Sequence, residues 1–255
     1  MATPDSGNIY LGAGEVWFNR FGANGSPTQW RHLGNVSRLE PTQSVETLEK
    51  RSAMSGARGL LKRVVTSTTS EVALTLDEFD PENVALALLG SASAFSQSSG
   101  TATDSAIPGT VKKGQWLDTG KLKITVTGVK KSPSTALVLG TDYEVDSDSG
   151  MIRILPGSST VADGDSLLWS GSYAAITSTQ IQALANSRIE GALRFRSASD
   201  AVGPRYLVDF WKVSIAPDGA LALLTTEFGE ITLKAAVQED TSKSIGERYF
   251  RMVQL

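Results

Sequence analysis

The chain of 255 residues has no cysteine and one histidine, His32. Without cysteine there are no disulfides and no thiolate metal centres, and one histidine builds neither a histidine-rich metal site nor a Cys–His nucleophilic pair. His32, beside Arg31 and ahead of a strand, reads first as a surface or hydrogen-bonded residue and second as a catalytic base. Long apolar runs are also missing, since nothing approaches the ~18 continuous residues of a membrane-spanning helix. The opening "MATPDSGNIYLG" lacks the basic-then-apolar order of a secretory signal, so neither a leader nor a membrane partner is expected. An excess of either charge is missing as well: 24 Lys and Arg stand against 27 Asp and Glu, a formal net charge of −3. It is spread without a basic tail, and the clustered Lys and Arg of a conventional DNA-binding protein are not there. "LGAGEVWF" holds Gly12 and Gly14 but neither the third glycine nor the following helix of a dinucleotide loop, and no GKS or GKT exists for a P-loop. The reading is of a non-enzyme with no metal, cofactor or catalytic residue.

What the chain does have is glycine and serine between short runs of Val, Leu, Ile and Thr, the composition of a mainly β protein with many turns. Ile9–Phe18 reads as a first strand, followed by the breakers Asn24-Gly25 and Ser26-Pro27. "LGNVSRLEPTQ" reads as a strand stopped by Pro41. Ser44–Arg63, "SVETLEKRSAMSGARGLLKR", is charged and has no sustained apolar face. It reads as a loop of about twenty residues where compact domains use ~4–6, which implies something outside the monomer to order it. "VVTSTTSEVALTLDEFD" then returns with period-two alternation: Val72, Leu74 and Leu76 on one face, Glu71, Ala73, Thr75 and Asp77 on the other. "DPENVALALLG" closes this region as a short helix, with Asp80 as cap, Pro81 at the first helical position and Gly90 as the stop.

Residues 91–110 are small and polar apart from Phe95 and Ile107, and read as a linker. Beyond them "LKITVTGV", "TALVLGTDYEVD", "GMIRILPG" and "DSLLWSGSYAA" follow at intervals of roughly ten residues, so 111–175 has the pattern of a small inserted β-sandwich-like domain. "ITSTQIQALANSR" fits a short helix or a strand. The last strands are "EGALRFRS", "PRYLVDFWKVSI", "GALALLTTEF" and "EITLKAAVQED". In them Leu193 and Phe195 oppose Arg194 and Arg196, and Ile231, Leu233, Ala235 and Val237 oppose Thr232, Lys234 and Ala236. Asp218-Gly219 has the residues of a tight hairpin turn. Residues 1–90 and 176–255 together make one discontinuous β domain, because the first part alone supplies too little sheet.

Two constellations bear on chemistry. Asp142, Glu144, Asp146 and Asp148 crowd "GTDYEVDSDSG", either as a solvated strand and turn or as a weak cation site, and their spacing is not that of an EF-hand. Trp17, Phe18, Tyr206, Phe210 and Trp211 occur on both faces of the proposed strands, as core or as a surface buried against another subunit. Aromatics with many carboxylates also suit a carbohydrate-binding or carbohydrate-hydrolysing β protein, in which Trp169 and Trp211 would converge with paired acids on a groove.

The phrases "LGNV", "DEFDPENVALALLG" and "KVSIAPDG", with the order of elements over residues 7–90 and 176–240, resemble the major tail tube protein of long non-contractile-tailed (siphovirus-like) bacteriophages. The resemblance implies a β-sandwich or barrel tail-tube fold with a flanking α-helix. It implies hexameric rings that stack into a tube conducting DNA from capsid to host. On it, Ser44–Arg63 becomes a long inter-ring loop with Glu46, Glu49, Lys50, Arg51, Arg58, Lys62 and Arg63 as contact candidates. The strands ending at Leu76 and those around 191–237 join the inner sheet of the ring, with Glu71, Thr75, Asp77, Glu230, Thr232 and Lys234 as candidate lumen-facing residues. The implied partners are further copies of the chain, the tape measure protein, the tail terminator and distal tail proteins, with passive contact to double-stranded DNA. The implied location is the virion tail, after synthesis in the host cytoplasm. The inserted block resembles small β domains of tail proteins in "GTDYEVDSDSGMIRIL" and "WSGSY".

Overall fold

Alternating burial marks the strands at the centre of this mainly β chain, β14 and β16 above all. The structure is a computed structural model that describes residues 5–22, 24–54 and 56–255. Its elements begin with β1 (Gly14–Phe21), β2 (Pro27–His32), β3 (Val36–Arg51), β4 (Leu60–Leu76) and helix α1 (Pro81–Ala87). They continue with β5 (Ser91–Gln97), β6 (Gly100–Ala106), β7 (Trp116–Asp118), β8 (Ile124–Lys131), β9 (Thr135–Ala136), β10 (Tyr143–Asp146), β11 (Met151–Ile154) and β12 (Leu167–Tyr173). The last are β13 (Ile176–Gln182), β14 (Ile189–Ser197), β15 (Tyr206–Pro217), β16 (Ile231–Val237) and β17 (Phe250–Gln254). The chain divides into two compact units, 1–93 with 180–255, and 94–179.

The first unit is one antiparallel sheet in the order β2-β1-β14-β15-β16-β4-β3. β15 pairs β14 along one edge and shares the other between two partners, β17 through Tyr206–Phe210 and β16 through Val213–Pro217. Ile231, Leu233, Ala235 and Val237 of β16 are buried with Val72, Leu74 and Leu76 of β4 and with Leu193 and Phe210 of the central strands. This is the alternation read from the sequence, realised as one buried face. α1 forms because the Asp80 side chain accepts from the amides of Glu82 and Asn83 while Pro81 presets the first turn. Asn83 ties the helix to the sheet: fully buried, it donates through Nδ2 to the carbonyls of Leu33 (2.9 Å) and Glu78 (3.1 Å) and accepts from Arg31 Nη2 at 2.9 Å.

The second unit has two sheets, β10-β11-β7 and β6-β12-β8-β9. Its core holds Ile124, Ile152, Ile154, Leu167 and Trp169. The chain passes from the first unit to the second within β5 and returns within β13, and these two strands pair.

Several sequence expectations need correction. Pro41 does not stop a strand; β3 runs through it. The strand is tolerant there because β3 is the sheet edge, where a missing amide donor need cost no ladder bond. Ser44–Arg63 is accordingly no long loop, since Ser44–Arg51 and Leu60–Arg63 are paired strand. The linker expected over 91–110 is occupied by β5 and β6. β6 is an edge strand that buries Ala102 and Ile107 lies just beyond it, so small polar residues suffice for the rest. "ITSTQIQ" is strand, not helix. Asp218-Gly219 makes no two-residue turn, and "GALALLTTEF" is no strand. The β15–β16 pair closes at Asp218 and Thr232, through the Asp218 amide to the Thr232 carbonyl (3.0 Å) and Thr232 Oγ1 to the Asp218 carbonyl (2.7 Å). What lies between is a loop that holds no strand.

Candidate functional site

In the first unit the β3–β4 ribbon runs past the strand that neighbours it in the sheet. β16 covers β4 only over Ser70–Leu76, so Ser44–Arg51 with Leu60–Thr69 is a two-stranded ribbon without a third strand among the described residues. Val45, Leu48, Leu60, Leu61, Val64 and Val65 on it are exposed, Leu48 to 68%. Two strands alone are marginal in water, and such exposure is stabilised by whatever covers it.

Part of the charge of the ribbon is met on the ribbon itself. Glu46 accepts from Ser67 Oγ at 2.9 Å, and Glu49 holds Arg51 at 3.0 Å and Arg63 at 3.9 Å. Lys50 lies directly opposite Lys62, a like-charge pair that destabilises an isolated ribbon. Arg58 sits in the turn with φ of 44°. Over 44–65 two acids stand against five bases, a net +3, so the rest of a chain of net −3 carries −6. The pairing of the two strands gathers this local excess of basic residues on one ribbon.

The lumen candidates divide. Glu71, Thr75, Thr232 and Lys234 share the face of β4 and β16 opposite the core, with Thr75 in register with Thr232. Lys234 Nζ meets Glu71 Oε2 at 2.7 Å, and this hydrogen bond holds the ammonium above its ordinary pKa. Beside them on β3, Arg38 bonds Glu40, raising the one and lowering the other. Thr75 is buried, which corrects its reading as a wall residue. Asp77 lies past the end of β4, where it takes Asn35 Nδ2, and Glu230 belongs to the loop before β16.

A further surface was not assembled from the sequence. On the face opposite the core, His32, Trp17, Arg194, Asp209 and Arg251 stand in register across β2, β1, β14, β15 and β17. Asp209 is 2% exposed and receives Arg194 Nε at 2.6 Å and Arg251 Nη2 at 3.0 Å. Guanidiniums lie over indoles throughout: Arg194 over Trp30 (4.9 Å), Arg196 over Trp17 (5.1 Å) and Arg251 over Trp211 (5.1 Å), with Lys243 also over Trp211 (4.4 Å). Such stacking fixes the cations without consuming their N–H donors. The available signal was the alternation of Arg194 and Arg196 with Leu193 and Phe195; the missing one was register.

The remaining candidates do not converge. Asp142 is buried and takes Ser158 Oγ (2.6 Å) and the Val138 amide (3.0 Å), which hold its carboxyl below the usual range. Glu144 pairs with Arg153, and Asp146 binds Ser149 within a turn. No cluster of three metal-ligating side chains occurs among the described residues. His32 Nδ1 accepts from the Gly34 amide at 2.9 Å. Trp169 is in the second core, and Trp211 is covered by two cations while its Nε1 donates to the Glu247 carbonyl at 2.7 Å. The carbohydrate reading is thereby left without the aromatic platform it rested on. A cavity of about 320 Å³ in the first unit is lined chiefly by apolar groups, among them Val16, Leu39, Phe195 and Phe210, and gathers no acid pair. No helix among the described residues is long and apolar enough to cross a membrane.

No curated protein matches the chain. The family described as protein of unknown function UCP028589 matches residues 9–253. With nearly the whole chain covered, the protein belongs to the UCP028589 family of proteins of unknown function.

Proposed function

We propose that this chain is a structural subunit whose work is self-assembly, and that its assembled form is the tube of a long non-contractile phage tail. In this reading hexameric rings stack, the tube conducts double-stranded DNA from capsid to host, and the virion tail is the protein's location. The tape measure protein, the tail terminator and distal tail proteins are its neighbours there. The observation that carries the reading is the ribbon. It extends well past the sheet, exposes apolar side chains on both faces, and is basic on a chain whose remainder is acidic, so a second copy offers it both apolar cover and opposite charge. Catalysis has no comparable support, because the charged groups that the sheet does bring together, Asp209 with Arg194 and Arg251 and Glu71 with Lys234, are spent on one another.

A conduit for DNA works best with a wall that grips no phosphates, since each neutralised phosphate adds affinity and opposes sliding. The β3–β4–β16 face, with Lys234 and Arg38 each paired to a glutamate, has that character. The test is light scattering with size-exclusion chromatography, followed by negative-stain imaging over a concentration series. Rings or tubes are the expected result. A monomer that persists at the highest concentration would defeat the reading, and tight DNA binding by free subunits at physiological salt would defeat the conduit.

A further inference from the structure

We infer that the Trp–Arg face of one copy is the docking site for the acidic, apolar loop 218–230 of a second copy. The loop holds Asp218, Glu227 and Glu230 and no Lys or Arg. It shows Leu223, Leu224 and Phe228 at 81%, 96% and 100% exposure, while Leu221 alone packs on the core. Three large apolar side chains held in water within six residues have no role in the monomer fold, and they name the chemistry that covers them: flat apolar surface edged with positive charge.

The face supplies that chemistry. Trp30 at its β2 margin is 41% exposed. Arg194, Arg196 and Arg251 share only Asp209 and Glu15. Arg196 also borders a recess with Arg205, Ser197 and Ser199, where Glu15 is the one acidic side chain. Four guanidiniums against two carboxylates leave two positive charges over, opposite the two glutamates of the loop, Glu227 and Glu230, while Asp218 lies close enough to act on Arg38 and Lys234 of its own chain. The Arg side chains lie flat on indoles, so little ordering entropy is lost when they accept a carboxylate.

Loop and face belong to one molecule but stand apart on it. The loop leaves β15 at Pro217, whereas the face crosses that strand at Asp209, about 26 Å away along the strand at ~3.3 Å per residue. A surface that fits a different surface of an identical chain makes a head-to-tail contact, which closes into rings or propagates. The inference rests on the assembly reading, because its occupant is a second copy.

Sedimentation velocity over a concentration series tests it with three variants of the full chain: Glu227→Arg with Glu230→Arg, Arg196→Glu, and all three changes together. Each reversal is expected to weaken association about tenfold or more, and the combination to restore most of the loss. Thermal melts identify any variant that fails to fold, and a second measurement is independent of charge. The chain lacks cysteine, so Phe228→Cys and His32→Cys proteins can be mixed and treated with a short bis-thiol reagent; a heterodimeric cross-link exceeding either homodimer is expected. Association unchanged within about twofold by both reversals, or no heterodimeric cross-link in an assembling mixture, would overturn the docking while leaving assembly intact. Wild-type protein that never associates would overturn both.

Discussion

Arg194 Nε lies 2.6 Å from Asp209 Oδ1 across the β14–β15 pair, and the carboxylate it meets is almost wholly buried although the sheet face around it is open to water. The cover consists of the arginines themselves. Asp209→Ala should therefore cost about 2 kcal/mol, the scale of a charge-assisted hydrogen bond and less than the ~3–5 kcal/mol of breaking a fully buried pair, because both guanidiniums can turn to solvent. Arg194→Ala should cost less, since Arg251 remains to hold the carboxylate. Urea denaturation followed by tryptophan fluorescence checks the order; a larger loss for Arg194→Ala would show that its packing on Trp30 matters more than its charge.

Asn83 is the second polar group on which the first unit depends. Asn83→Ala leaves the carbonyls of Leu33 and Glu78 and the Arg31 guanidinium short of a partner, for an expected loss of about 2–3 kcal/mol. Amide exchange should quicken at Val84 and Leu88 in α1 before it does in β16. Equal acceleration in both would mean that helix and sheet open as one.

Acid should act on the second unit through Asp142. Its carboxyl titrates below the ordinary aspartate value when folded, chiefly through the Ser158 hydroxyl and then the Val138 amide. The bond's contribution is complete above the unfolded-state pKa and is lost as pH falls through the folded one. Ser158→Ala should lower the melting temperature near neutrality, and the gap from wild type should narrow toward low pH. A gap that is constant with pH would assign the loss to packing.

Residues 94–179 should be dispensable for folding of the first unit. Gln180 Nε2 donates to Ser93 Oγ at 3.2 Å, so the cut ends already lie side by side. Joining Ser93 to Gln180 through Asn-Gly should give a protein with a cooperative melt. Aggregation or a broad transition would show that the second unit is needed.

Leu48→Lys is expected to change monomer stability by no more than about 0.5 kcal/mol, because the side chain is exposed and packs on nothing in the core. The same change should abolish tubes. Ribbon amides over 44–69 should exchange rapidly in free subunits and slowly in assemblies; equal protection in both would remove the ribbon from the interface.

The sequence was most readable where one face of a strand is dry. Val72, Leu74 and Leu76, and Ile231 through Val237, alternate because each second residue meets the core, and the Asp80-Pro81 cap acts within three residues. The ribbon was read as loop because neither of its faces is buried in the monomer, so no alternation is imposed on it. β5 and β6 were missed for the same reason in milder form. The loop after Asp218 misled in the opposite direction, its leucines suggesting a strand that no neighbour is there to pair. The Trp–Arg face lay beyond reading: its residues come from five strands spread between positions 17 and 251, and only the register of the sheet puts them in a row.

The pairing of β5 with β13 also bears on how the molecule carries load. Because the chain leaves the first unit and comes back at one place, tension applied between the two ends of the protein is borne by the ladder bonds of the large sheet. It reaches the inserted unit only after β5 and β13 have been pulled apart. Pulled by its two ends, the protein would load the insert last.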